Sequence, residues 1–203
     1  PSDDCISIII TKDGGENWQK LPCSQLPPAA AGEAAFAASN SNIALEGDNA
    51  WIVTGGAKAR ILHSPDKGES WTETQRPIKE GGQMPGIYTV AFWDARNGII
   101  FGGDWNEKTS NRQNKAITSN GGKSWQLVSD GTGPGYRSSV KYFPQGNGKS
   151  VLVAGIPGIS ISYDSGINWK EVSAESWYAA DFAPGENACW LAGNGKIGRV
   201  NWR

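Results

Sequence analysis

Apolar positions along this chain come in short runs broken by clusters of Gly, Asn, Asp and Ser. Such runs, rich in β-branched and aromatic residues and bounded by turn formers, predict strands. Residues 5–11 and 18–23 predict a first pair around a tight reversal. A Pro-rich link, 25–31, follows. The Ala-rich stretch 34–38 carries no charged face and opens on Gly32, so it predicts an inner strand of small side chains. From there a four-strand meander recurs. Its first copy uses 34–38, 43–45 with 50–53, 59–64 and 71–75. The second uses 88–93, 98–101, 115–119 and 125–129, and the third 138–143, 150–154, 158–162 and 169–173. A last set, 177–182, 188–191 and 196–201, has three strands. Asn97-Gly98, Asn147-Gly148 and Asn194-Gly195 supply hairpin turns.

One octet recurs at the end of each third strand. It reads Thr11-Lys12-Asp13-Gly14-Gly15-Glu16-Asn17-Trp18, then Ser64-Pro65-Asp66-Lys67-Gly68-Glu69-Ser70-Trp71. The third copy is Thr118-Ser119-Asn120-Gly121-Gly122-Lys123-Ser124-Trp125, and the fourth Ser162-Tyr163-Asp164-Ser165-Gly166-Ile167-Asn168-Trp169. The acidic position, Asn in the third copy, advances by 53, 54 and 44 residues. Repetition at that period marks a repeat architecture. Within each octet an Asx side chain can accept backbone N–H groups two or three residues on, Gly supplies positive φ, and Trp pins the turn to a neighbouring layer. The motif builds a turn, not a reaction.

Four-stranded units repeated about an axis describe an all-β β-propeller. The expected pieces are a partial blade at 1–24, full blades at 33–76, 87–130 and 136–174, and an incomplete one at 177–203. These do not close tidily into one ring. The expectation is therefore the C-terminal part of a six- or seven-bladed protein, with a bare four-blade ring as the alternative. Open blade edges in such a piece would invite self-association.

Composition narrows the function classes. Gly 27 and Trp 10 in 203 residues suit a turn-rich β protein. A net charge of −1 gives no global pull toward nucleic acid. No stretch approaches a membrane span and no leader peptide is visible. No His/Cys/carboxylate cluster has metal-ligand spacing, and no cofactor is implied. Cys5 and Cys23 sit symmetrically about the first turn, where they would face one another; a disulfide and two free thiols are both open. Cys189 reads as a small buried hydrophobe. Gly193-Asn194-Gly195-Lys196-Ile197-Gly198 fits a dinucleotide fingerprint, but it joins two strands without a helix and is set aside.

The octets resemble the Asp-box, or BNR, repeats of sialidases, sortilin-type receptors and photosystem II stability/assembly factors. Glu33-Ala34-Ala35-Phe36, Trp51-Ile52-Val53-Thr54-Gly55-Gly56, Gly102-Gly103-Asp104 and Gly135-Tyr136-Arg137-Ser138 resemble bacterial relatives of the last group over most of the chain. That resemblance implies an exported, non-enzymatic scaffold with a protein partner, in a periplasmic or extracellular setting, and no catalytic residues to carry over. The sialidase resemblance implies instead a glycan-directed hydrolase or lectin. Its Arg-Ile-Pro signature is Gly155-Ile156-Pro157 here, without the arginine, and no motif sets a Tyr–Glu pair. A purely structural segment of a larger surface protein is a third reading.

In a propeller the loops between strands four and one, and two and three, share the face opposite the octets. That places Asp13, Asp66 and Asp164 away from any site. Loops on the other face carry Arg60, Asp104, Trp105, Arg112, Tyr136, Arg137 and Trp177, residue types favoured at interfaces. Some have a plainer reading: Arg137 as a bridge between blades, Tyr136 as packing, and Asp104, like Glu33, as a hydrogen-bond partner of a neighbouring backbone. His63, next to an octet, reads as structural, and Trp177 and Tyr178 as the aromatics worth testing.

Overall fold

The β-branched and aromatic runs do become strands, held between turns whose side chains close on their own backbone. The computed structural model describes residues 5–74 and 77–201 of the chain. Residues 1–4, 75–76 and 202–203, within the expected units 1–24, 33–76 and 177–203, lie outside the described residues. Four antiparallel sheets form the blades of a partial β-propeller. Blade one is Ile43–Glu46, Asn49–Val53, Ile61–Ser64 and Thr72–Thr74. Blade two is Pro85–Phe92, Gly98–Asp104, Lys115–Thr118 and Gln126–Leu127. Blade three is Ser139–Tyr142, Val151–Gly155, Gly158–Ser162 and Lys170–Ser173. Blade four has three strands, Ala179–Phe182, Ala188–Gly193 and Lys196–Asn201. Ahead of them stands a short hairpin, Ile9–Ile10 with Gln19–Lys20.

Four apolar clusters lie between successive pieces. Ile6, Ile8 and Leu21 of the hairpin region pack on Ile52 and Leu62 of blade one. Trp51 and Ile61 meet Val90 and Ile100 of blade two, and Ile99 and Phe101 meet Val140 and Val153 of blade three. Leu152 and Ile161 meet Ala180 and Leu191 of blade four. None of these clusters joins blade four to the hairpin or to blade one among the described residues. Ile43 and Leu45 at one end of the series, and Trp190 and Ile197 at the other, are exposed.

The inner strand of blade one differs from expectation. It is Ile43–Glu46, and the stretch 34–38 is split between Glu33–Ala34 and a 3-10 turn, Ala37–Ser39. Glu33–Ala34 pairs with Gly55–Gly56, which joins the edge of blade two through Gly55 and Gly86. Only glycine permits this crossing: a Cβ on Gly86 would lie 2.3 Å from the Cα of Gly55. Residues 30–36 thus form a strap between blades rather than a strand within one. The hairpin is also shorter than 5–11 and 18–23, because the chain turns into a 3-10 segment at Cys23–Gln25. Cys5 and Cys23 are joined in a disulfide with Cα atoms 5.4 Å apart, while Cys189 is free and buried. Burial pushes the Cys189 thiol up to about 12, so it is inert.

All four octets close in the same way. Asp66 Oδ1 accepts the Ser64 hydroxyl at 2.8 Å and the Ser70 N–H at 2.9 Å. Ser64 Oγ accepts the Gly68 N–H at 2.8 Å, and the Trp71 indole donates back to Gly68 O at 3.1 Å. Thr11, Asp13, Gly15, Asn17 and Trp18 repeat this set, as do Ser162, Asp164, Gly166, Asn168 and Trp169. In the third copy Asn120 Oδ1 accepts from Thr118 and Ser124, and Trp125 donates to Gly122 O at 3.1 Å. The Asx side chain reaches four residues on, farther than expected, and the indole clamps its own turn before packing outward.

These bonds stabilise charged Asp. The Asn17 backbone N–H and Thr11 hydroxyl push Asp13 down to about 2, and the Ser70 hydroxyl and N–H push Asp66 down to about 2. A depressed folded pKa adds stability above the ordinary value near ~4 that is lost as pH falls through the folded value. Exchange protection of the Asn17 and Ser70 amides should therefore collapse between pH about 4 and about 2. The Ser124 amide, held by the neutral Asn120, should keep its protection, as amide exchange by NMR can check.

Candidate functional site

Bonds from one inner strand to the next fix their relative height. Val140 N–H donates to the Thr89 hydroxyl at 3.0 Å and Ala180 N–H to the Ser139 hydroxyl at 3.2 Å, while Val90 N–H donates to the backbone carbonyl of Ser41 at 2.9 Å. Tyr88, Ser138 and Tyr178 consequently stand at equivalent positions, each two residues before the bonded N–H, with Tyr88 inside its strand and Ser138 and Tyr178 just ahead of theirs. The strap lays Phe36 flat on Tyr88, with ring centroids 4.0 Å apart. Tyr88 meets Tyr136 edge-on at 4.7 Å, and Tyr136 meets Trp105 edge-on at 5.8 Å. Lys108 Nζ lies 4.8 Å over the Trp105 ring.

Together these rings border a groove of about 460 Å3, whose remaining wall is Ala35, Ala37, Ala38, Met84 and Tyr178. Its serine hydroxyls and the Tyr88 phenol are already engaged. Ser39 Oγ shares its one proton between Phe36 O and Tyr88 O, Ser138 Oγ donates to Tyr178 O, and the Tyr88 hydroxyl to Met84 O. Burial raises the Tyr88 and Tyr136 phenols well above their ordinary range, so neither ionises at neutral pH. No carboxylate, histidine or cysteine lines the groove among the described residues. The surface offers hydrocarbon and ring faces rather than acid–base chemistry.

The structure gathers Trp105 and Tyr136 at this groove and sends the other expected contact residues elsewhere. Arg60 is 1% exposed: its Nε donates to Glu33 Oε1 at 2.7 Å and its Nη1 to Glu73 Oε2 at 3.1 Å. Burial opposes its charge, but the bonds to Glu33 and Glu73 prevail and raise its pKa. Arg137 is 2% exposed and donates to Tyr136 O and Ser160 Oγ, with no carboxylate in contact among the described residues. Burial pushes its guanidinium down to about 10. Trp177 is buried in the cluster between blades three and four, with Lys196 Nζ 4.2 Å over its ring. Arg60, Arg137 and Trp177 are buried and line no part of the groove, whereas the equally buried Tyr88 and Tyr136 back it behind the more exposed Phe36, Trp105 and Tyr178. The side chains of Arg60, Arg137 and Trp177 satisfy the blade interiors instead.

Asp104 sits beside the groove, 3.8 Å from Lys79 and accepting the Asn106 N–H. Arg112 is exposed but outside the lining. Glu33 accepts Arg60, Thr54 and the Ala30 N–H, tying the strap within blade one rather than a neighbouring blade's backbone. Behind the groove, Lys115 is buried against Asn114 Oδ1, and burial lowers its pKa to about 8. Gly193 to Gly198 forms a plain hairpin between two strands. Sequence reading missed Phe36, Met84 and Tyr88 as site residues. Tyr88 and Ser138 each stand one step ahead of an inner-strand hydroxyl, Thr89 and Ser139, and that shared register was the available signal for Tyr88.

Fold and groove together define the class: a β-propeller with an aromatic groove on the face away from the octets. No protein-family profile matches the chain, and no curated protein is similar to it. Among solved structures it is similar to YCF48 bound to D1 peptide, at 18% identity and a TM-score of 0.61, covering 96% of this chain and 56% of that one. YCF48 from Cyanidioschyzon merolae matches at 18% identity and 0.60, covering 96% and 60%. The GH74 enzyme of Niastella koreensis matches at 20% identity and 0.56, covering 74% and 25%. At these identities the likeness establishes the propeller fold alone. The chain spans little more than half the length of the YCF48 structures.

Proposed function

We propose that this protein is a non-enzymatic propeller that holds an extended, apolar peptide segment of a protein partner in the Phe36–Tyr88–Tyr136–Trp105 groove. The single observation that carries the reading is the groove's chemistry. Phe36, Trp105, Tyr178 and the alanines present partly exposed rings and methyl groups over the buried Tyr88 and Tyr136, while its serines are already bonded to backbone. A sugar in that position would leave most of its hydroxyls without partners, whereas a Leu or Phe side chain would bury apolar area without cost. The peptide complex formed by YCF48 on a similar fold supports the same class of partner. Export belongs to this proposal, and the Cys5–Cys23 bond supports it, because disulfides persist in oxidising compartments.

The second reading is glycan binding or hydrolysis, favoured by the aromatic lining and the GH74 likeness. Glycoside hydrolysis calls for two carboxylates flanking the bond, and the lining supplies none. Selection from a random peptide display library separates the two. Apolar and aromatic peptides should be enriched, and Trp105→Ala should weaken the best of them by about tenfold or more. No enrichment, together with Trp105-dependent binding of β-glucan oligosaccharides or sialosides, would replace the first reading by the second.

A further inference from the structure

The octet rim holds a second groove, of about 510 Å3, between the turns of blades one and two. Its walls carry His63, Arg96 and Lys123, with Asn49 and Asn120 beside them and no carboxylate in the lining. The charge pattern of the turns singles this place out. The first, second and fourth octets each sum to −1, whereas the third, with Asn120 for Asp and Lys123 where two others have Glu, sums to +1. Asn120 Oδ1 accepts the same two bonds as the Asp Oδ1 of the sister turns, and its amide donates to Ser124 Oγ where Asp66 accepts from Ser70, so the exchange changes the charge and leaves the loop intact.

The neighbouring carboxylates are committed. Asp94 accepts the N–H groups of Arg96 and Asn97 and the Asn97 amide, and Asp66 is bound within its own turn by Ser64 and Ser70. Arg96 reaches only Ser119 O, at 3.4 Å through Nε, and Lys123 has no side-chain partner among the described residues. His63 stacks on Trp51 at 5.1 Å, with Nε2 2.9 Å from Asn49 Oδ1.

We infer that this groove binds a tetrahedral oxyanion, a sulfate or phosphate ester, between Arg96, Lys123 and His63. Two cations and the polar edge of an imidazole converge on one concave surface from which the turn's own negative charge has been removed. Neutral Asn amides complete the wall without repelling an anion. Burial first, and Lys123 second, lower the His63 pKa against the opposing pull of Asp66, so the ring is neutral until an anion arrives. This inference uses the opposite face from the aromatic groove and stands without it.

The chain has one histidine, so its ring resonances report on the groove without ambiguity. Sodium sulfate and sodium phosphate are titrated in separate arms against sodium chloride at equal ionic strength, with His63 followed by NMR. The expected result is a saturable shift and a raised His63 pKa in at least one arm, which also names the ester. Asn120→Asp restores the residue its sister turns use, so the loop stays formed; it should weaken binding about fivefold or more, as should Lys123→Glu. A His63 response no different from chloride in both arms overturns the inference. So does an Asn120→Asp protein that binds as tightly as the parent.

Discussion

Glu33→Ala is expected to cost about 3–5 kcal/mol of stability, because it strands a buried guanidinium. Glu33 and Arg60 are each 1% exposed. The carboxylate accepts Arg60 Nε and Thr54 Oγ1, both at 2.7 Å, and the Ala30 N–H at 2.9 Å. Truncation leaves Arg60 with Glu73 alone as a charged partner and removes an acceptor from the Thr54 hydroxyl and the part-buried Ala30 N–H. Urea denaturation measures the loss. Glu33→Gln keeps the shape and an acceptor, so it should fall between the parent and Glu33→Ala. Because Glu33 anchors the strap that carries Phe36, the same change should loosen the aromatic groove and weaken any peptide selected on it. A denaturation midpoint equal to the parent's would show that the ion pair contributes nothing.

Trp51→Ala is the second large effect, about 3–5 kcal/mol by cavity formation. The ring is fully buried, 3.5 Å from Phe92 centroid to centroid, and its Nε1 donates to Gly121 O at 3.0 Å. It also stacks against His63 from the other side. One side chain thus joins blade one, the inner strand of blade two and the third octet turn. Trp51→Phe keeps a ring without the indole donor and should lose less. Calorimetry on both variants checks the order, and equal losses would mean that the hydrogen bond, rather than the packing, dominates.

The octets show what was legible from residues alone. Their bonds span two to four residues, so Ser/Thr, Asx, Gly and Trp at set offsets specify the turn wherever the segment lies. Alternating apolar strands were legible for the same local reason. The stretch 34–38 was misread because small apolar residues fit strand or strap equally. The choice fell to Glu33 meeting Arg60, and to Gly55 passing Gly86, contacts 27 and 31 residues apart along the chain. Arg60, Arg137 and Trp177 had interface-like side chains, but their burial depended on which blade came to cover them.

By itself, then, the sequence determined the four turns, the strand periodicity and the repeat that makes a propeller. These rest on hydrogen bonds and side-chain alternation within a few residues. Only the tertiary structure decided that Phe36, Tyr88, Trp105 and Tyr136 share one groove, and that His63, Arg96 and Lys123 share another. Each set is drawn from separate strands and loops, and side chains so distant along the chain meet only when blades pack face to face.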